Sequence, residues 1–159
     1  MLKTIRALLI VIGMAFTSVA AAQLVDTGRL FFGTGVSSNE MSNTDSAIGW
    51  QLFGGYGFGE VAKNVHFDAE VGYMDSGSMD RPGQSSVTAN GLWAAGVGRF
   101  LLTSNIELLA RLGMDFGDDD GLLGGVGAGL LLTKNIKLRF EFVKRDHVDS
   151  WQFNLVFYP

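Results

Sequence analysis

The chain has 159 residues, among them 22 glycines, two prolines and no cysteine, with 16 acidic against 12 basic side chains. That balance offers no basic surplus for nucleic acid, and the lack of cysteine excludes a disulfide framework, a thiolate metal site and a cysteine nucleophile. Beyond the N-terminal segment no apolar run approaches the roughly 18 residues of a spanning helix, which excludes a helical membrane protein.

The chain opens with Lys3 and Arg6 ahead of an apolar run from Ala7 to Phe16, followed by the small residues Ser18-Val19-Ala20-Ala21-Ala22. This is the layout of a secretory signal peptide cleaved after Ala22, and the run is too short for a spanning anchor. Residue 23 is Gln rather than Cys, so no lipid anchor is expected. The expected organisation is a signal peptide at 1–22 and one domain at 23–159. Loss of Lys3 and Arg6 leaves 10 bases against 16 acids, a mature net charge of −6.

Within 23–159 the apolar residues alternate with a period of two, in segments broken by turns or polar loops. Strands are expected near 27–36, 45–57, 64–75, 88–100, 105–116, 121–132, 135–145 and 149–158, an even number. The segment 105–116 is the clearest. Ile106, Leu108, Ala110, Leu112, Met114 and Phe116 fall on one face, and Glu107, Leu109, Arg111, Gly113 and Asp115 on the other. Eleven alternating residues match the length a tilted strand needs to cross a bilayer.

Three of the segments begin alike, at Lys63-Asn64-Val65, Ser104-Asn105-Ile106 and Lys134-Asn135-Ile136. Asn suits a tight turn because it tolerates left-handed backbone and bonds its own main chain. The intervening connections at 37–45 and 76–87 read as longer polar loops, and those at 117–121 and 145–149 as modest ones. Short turns at one end and longer loops at the other describe an up-and-down barrel in an outer membrane.

Alternation alone leaves the faces undecided, because a soluble lipocalin-like barrel has the same pattern with its apolar face inside. Three features favour the inverted arrangement. The segment 135–145 sets Lys137, Arg139 and Glu141 on one face, matching Glu107 and Arg111, so charges of both signs share a side as an ion-paired interior requires. Gly125, Gly127 and Gly129 leave room between them. Aromatic residues gather at strand ends on the apolar face, with Tyr73, Phe116 and Trp151 toward the loops and Tyr56, Phe58, Phe100 and Phe157 toward the turns, as two membrane interfaces select.

The segments LTSNIELLARLG (102–113) and GAGLLLTKNIKLRFEF (127–142), and the amphipathic last strand Trp151 to Phe157, resemble the small eight-stranded outer-membrane β-barrel family typified by the OmpA transmembrane domain and OmpX. The likeness covers about half of the mature chain. It implies an all-β, eight-stranded antiparallel transmembrane barrel in the outer membrane of a Gram-negative bacterium, in contact with outer-membrane lipid and lipopolysaccharide. It also implies a last strand read by the insertion machinery; Phe157 stands at the matching aromatic position, followed by Tyr158 and Pro159. No peptidoglycan-binding domain is expected after it.

Glu70, Glu107, Arg111, Lys137, Arg139 and Glu141 are therefore expected to form a lumen charge network that plugs the barrel, with His66 and Asp68 on the same side. Arg111 and Arg139 should share the carboxylates of Glu107, Glu141 and Glu70, with Lys137 nearer water at the rim. The alternative is a narrow pore. His147 with Asp146, Asp149 and Ser150 is the raw material of nucleophilic catalysis, and some eight-stranded lipid A deacylases use a His and Ser. Their spacing is one intervening residue, whereas two intervene here, so no catalytic residue is assigned. The acidic run Asp115 to Gly121 lacks the alternate-position spacing of a calcium loop, and neither metal nor cofactor is expected. The loop Asp75 to Ser86 is where a surface ligand would be met. The expected role is structural or recognitional, against the alternatives of a pore, a lipid A-modifying enzyme or a soluble periplasmic binding barrel.

Overall fold

The computed structural model describes residues 26–159; the expected signal peptide, 1–22, lies outside the described residues. After a short turn at Thr27–Arg29 come ten strands: β1 (Leu30–Met41), β2 (Ala47–Ala62), β3 (Val65–Asp75), β4 (Met79–Arg81), β5 (Gln84–Val87), β6 (Asn90–Leu101), β7 (Ile106–Gly117), β8 (Gly121–Thr133), β9 (Ile136–Lys144) and β10 (Val148–Phe157). Eight of them close into an antiparallel barrel, in which β1 pairs with both β2 and β10, while β4 and β5 form a separate hairpin. Closure runs from Phe32 opposite Phe157 to Met41 opposite Val148, so the barrel has no open edge to template further pairing.

The alternation resolves as apolar outside and polar inside. Leu112, Leu122 and Val126 are exposed on the outer wall, whereas Glu70, Arg139 and Glu141 are fully buried. The same parity that exposes one residue buries the next, so reversing the faces would require slipping every strand by one.

Two expectations about loops are corrected. Residues 37–41 were expected in a loop, yet they continue β1, with Ser37 opposite Gln152 and Asn39 opposite Ser150. Ser37 and Asn39 face the interior and bond there, so a stretch polar on both faces hides its alternation. The long loop at 76–87 contains the β4–β5 hairpin. Met79 and Ala89 pack with Ala47 and Val148 in a small apolar cluster, and Asn39 Nδ2 donates to the Ser76 carbonyl at 2.9 Å, fixing the base of the hairpin over the barrel mouth.

The three Asn turns are not built alike. Asn64 adopts left-handed backbone (φ 63°) as its type permits. At the other two turns a threonine organises the chain instead. Thr103 Oγ1 accepts from Asn105 N and Ile106 N, and Thr133 Oγ1 accepts from Asn135 N and Ile136 N.

The interior is not wholly polar. Phe31, Phe53, Met74, Trp93, Leu123 and Val143 are buried together inside, an apolar layer within the lumen expected to be polar. Consecutive aromatics or large apolar residues at Phe31-Phe32 and Leu52-Phe53 put bulky groups on both faces, which erases the contrast on which a face assignment depends.

Candidate functional site

The lumen holds the largest set of buried titratable groups, in three tiers. The middle tier is a square of four. Arg139 Nη1 lies 2.6 Å from Glu70 Oε1 and its Nε 3.0 Å from Glu141 Oε1; Arg111 Nη2 lies 3.1 Å from Glu70 Oε2 and 2.7 Å from Glu141 Oε2. Neutral amides extend it: Asn154 Nδ2 donates to Glu141 Oε1, and Gln51 Nε2 donates to Asn154 Oδ1 and Gln152 Oε1. Rings cover the cations, with Arg111 5.1 Å from the Trp93 ring centroid and Arg139 5.6 Å from that of Phe53.

Toward the turns, Arg99 forks onto Asp68 (2.6 and 3.0 Å) and reaches Glu107 Oε2 at 3.0 Å. Lys137 Nζ sits 2.8 Å from Glu107 Oε1 and 3.1 Å from the Tyr158 hydroxyl. Glu107 therefore serves Arg99 and Lys137, not Arg111 and Arg139, because the barrel stagger places it one tier lower than the expected grouping. Lys137 is buried rather than open to water, since Tyr158 folds back beneath it and its N–H bonds the Asn135 carbonyl. Burial also pushes the Tyr158 phenol pKa upward from its ordinary value.

Toward the loops, Arg145 is buried although it leaves β9 in a turn, and its Nε lies 3.2 Å from Asp115 Oδ2. Five cations (Arg99, Arg111, Lys137, Arg139, Arg145) thus face five carboxylates (Asp68, Glu70, Glu107, Asp115, Glu141). Glycines in β8 leave the space. A Cβ on Gly127 would come within 2.7 Å of Glu141 Cγ, and one on Gly129 within 2.8 Å of Glu107 Oε1.

Arg99, Asp115 and Arg145 were not named in the expected network, although Asp115 was placed on the face of Glu107 and Arg111. The inward parity of β6 is otherwise Trp93, Ala95 and Val97, so Arg99 is the one charge on a face that is apolar along the rest of the strand. Arg145 closes the expected strand 135–145 with the inward parity of Lys137, Arg139 and Glu141, and in the structure it stays buried although β9 ends at Lys144.

The seven expected belt aromatics all point outward. Trp151 packs on Phe140 and Phe142, with centroids 5.4 and 4.8 Å away; Tyr73 packs on Trp50, and Tyr56 on Phe58. Phe116, Phe100 and Phe157 are exposed on the same wall.

The cluster in the last loop is divided. Ser150 is buried, donating to Asn39 Oδ1 at 2.6 Å and accepting from Arg145 Nη1, while Asp149 pairs with Lys144 outside. His147 points outward, its Nδ1 2.8 Å from Asp119 Oδ1 and 3.4 Å from Asp146 Oδ2. The hydrogen bond to Asp119, and then the charge of Asp146, raise the imidazole pKa from its ordinary value. The serine and histidine therefore have separate partners. Among the described residues, Asp119, Asp146 and His147 are the grouping whose metal-ligating atoms come within 4.8 Å of one another. Both Asp119 oxygens are engaged there, accepting from His147 N and Val148 N, so Asp119 clasps the β7–β8 turn to the β9–β10 turn. The acidic run does not act as one ligand set, because Asp115 turns into the barrel and Asp118 accepts from Asn90 N.

A family model described as the outer membrane protein beta-barrel domain matches residues 7–155. This chain belongs to that family. The closed eight-stranded barrel is thus an outer-membrane, transmembrane one, and its apolar wall faces lipid. A designed transmembrane β-barrel superposes with a TM-score of 0.57 at 17% identity, covering 82% of this chain and 94% of that one. Ail, the attachment invasion locus protein of Yersinia pestis, gives 0.54 at 14%, covering 81% and 95%. It has also been solved with the heparin analogue sucrose octasulfate. The outer membrane enzyme PagL gives 0.51 at 11%, covering 80% and 98%. Identities this low speak for the fold alone, and the same outer-membrane barrel architecture serves both an attachment protein and an enzyme. Comparison with curated proteins gave no match.

Proposed function

We propose that this outer-membrane barrel has a structural or surface-recognition role, with a plugged lumen, no catalysis and a signal peptide removed on export. The observation that carries the reading is the balanced lumen, in which five cations are matched to five carboxylates across three tiers. A pore would need this network to part, and a filled interior is what an eight-stranded barrel has room for. The lumen charges are the plug, and the outward aromatics mark the two lipid interfaces. The last strand, ending at Phe157, is the segment offered to the insertion machinery.

The loop end is where a partner is met. It exposes Glu40, Asp45, Asp80, Asp118, Asp120 and Asp146, opposed chiefly by Lys144 and a half-buried Arg81. An acidic surface of this kind repels a polyanion such as the heparin analogue bound by Ail and favours a neutral or cationic partner. The separation of Ser150 from His147 supports a barrel without the deacylase chemistry.

Because the chain has no cysteine, one introduced at the exposed Ser85 is a unique reporter. Ser85→Cys should react with a membrane-impermeant maleimide on intact cells, and lipid A from those cells should have the same mass spectrum with or without the protein. Labelling only after the outer membrane is opened, or a lipid A species that appears with the protein and vanishes in Ser150→Ala, would overturn the proposal.

A further inference from the structure

The clasp at the loop end joins two turns that are far apart in the chain. Asp119 stands between β7 and β8, whereas Asp146 and His147 stand between β9 and β10. Their donor atoms are spaced as ligands are. His147 Nδ1 lies 2.8 Å from Asp119 Oδ1 and 3.4 Å from Asp146 Oδ2. Around an ion bound at zinc distances, neighbouring ligand atoms stand roughly 2.9–3.4 Å apart, from octahedral to tetrahedral angles. Small side-chain rotations therefore suffice to seat an ion against all three residues.

Asp119 is fixed in place for such a role. Its side chain is 6% exposed, and its oxygens accept from His147 N at 3.0 Å and from Val148 N at 3.1 Å. A carboxylate oxygen has two lone pairs, so these bonds orient the group and leave one lone pair of Oδ1 for the imidazole side. Asp146 and His147 are exposed and border an open cleft of about 440 Å³ that they share with Glu40, Lys144 and Asp149, which gives water access to any remaining coordination positions. A Cβ on Gly121 would stand 3.1 Å from that of Asp146, so glycine there keeps the space beside this carboxylate clear.

The charge is also unmatched. Lys144 is engaged by Asp149 on the outside and Arg145 by Asp115 on the inside, so the described residues offer Asp119 and Asp146 no ion-pair partner but His147 itself. With a neutral imidazole, two carboxylates are left side by side, and a divalent cation neutralises both.

We infer that His147, Asp119 and Asp146 bind one divalent transition-metal ion of the zinc class at the loop end of the barrel. The acidic run alone has the wrong spacing for calcium; the histidine from the next turn completes a different set. An imidazole nitrogen with two carboxylate oxygens suits zinc, whereas calcium and magnesium take oxygen ligands. The ion occupies the place that a proton holds between His147 Nδ1 and Asp119 in the metal-free protein, and it ties the same two turns more firmly. The site is independent of the lumen plug and of which way the loops face, so its failure leaves those readings untouched.

The test uses the untagged mature barrel, folded in detergent and freed of metal with a chelator, into which zinc chloride is titrated at pH 7.5 by calorimetry. The chain has two histidines, so His66→Gln, on β3 at the opposite end of the barrel, is the control for His147→Gln. Asp146→Asn removes a second ligand without touching the histidine. Each variant is first shown to be folded by its shifted gel migration without boiling. The wild type and His66→Gln should bind one zinc per barrel, with slower amide exchange at residues 117–121 and 145–148. Loss of even a supporting group around a metal weakens binding by about 10–100-fold, so His147→Gln and Asp146→Asn should each weaken it by at least about tenfold. No zinc binding by the wild type, unchanged affinity in His147→Gln, loss in His66→Gln instead, or equal affinity for calcium chloride would overturn the assignment.

Discussion

Arg139 on β9 and Glu70 on β3 meet inside the barrel at 2.6 Å, joining strands that are not neighbours in the sheet. Both side chains are buried, and each also belongs to the square with Arg111 and Glu141. Removing one corner leaves a confined charge without its counter-ion, at a cost of about 3–5 kcal/mol in a dry site. Arg139→Ala should therefore lower barrel stability far more than Lys144→Ala, whose pair with Asp149 is exposed and contributes roughly 0–1 kcal/mol. Urea unfolding of the two variants in lipid vesicles checks the ordering.

The outer wall gives a second expectation. Leu112 is 70% exposed and lies midway along β7, opposite Gly96 and Gly124. Arginine there faces hydrocarbon and should cost about 2–4 kcal/mol. If Leu112→Arg inserted into bilayers with unchanged stability, that face would not be in lipid.

The loop end should respond to pH through His147. Its pKa is raised in the folded protein by Asp119 and Asp146, so protonation favours the clasp. The contribution is fully present below the ordinary imidazole value near 6.5 and is lost as pH rises through the higher folded value. Amide exchange in residues 117–121 and 145–148 should accelerate on going from pH 5 to pH 9, beyond the intrinsic change. His147→Gln should remove that excess while leaving exchange in the barrel strands unaltered.

Crowding at β8 gives a further expectation. Gly129 stands against Glu107, and a side chain there would push the carboxylate away from Arg99 and Lys137. Gly129→Val should reduce the folded fraction, read as loss of the heat-modifiable gel band. Gly98→Val, outward with nothing within 4 Å of the added Cβ, should not.

The barrel was legible because β7 and β9 alternate polar and apolar residues over most of their length, and because one polar face held both signs of charge. That was enough to name Glu70, Glu107, Arg111, Lys137, Arg139 and Glu141 as a group. Their pairing was not legible, since it depends on stagger: β3 and β9 are distant in the chain and meet only when the sheet closes. Arg145 escaped because it stands where the expected strand 135–145 meets the expected loop 145–149, although it shares the parity of Lys137, Arg139 and Glu141, and the inner aromatics Phe53 and Trp93 because their strands carry bulky apolar groups on both faces. The extension of β1 through Asn39 was hidden for the opposite reason, polar groups on both faces near the rim.

The plugged lumen is the centre of the account, and planar-bilayer recording tests it most directly. Purified wild-type barrel, inserted at low density, should give no sustained, well-resolved current steps, because Arg111, Arg139, Glu70 and Glu141 close the lumen between them. Regular open-channel steps in the wild type, with an ion preference that changes in Glu141→Lys, would contradict it.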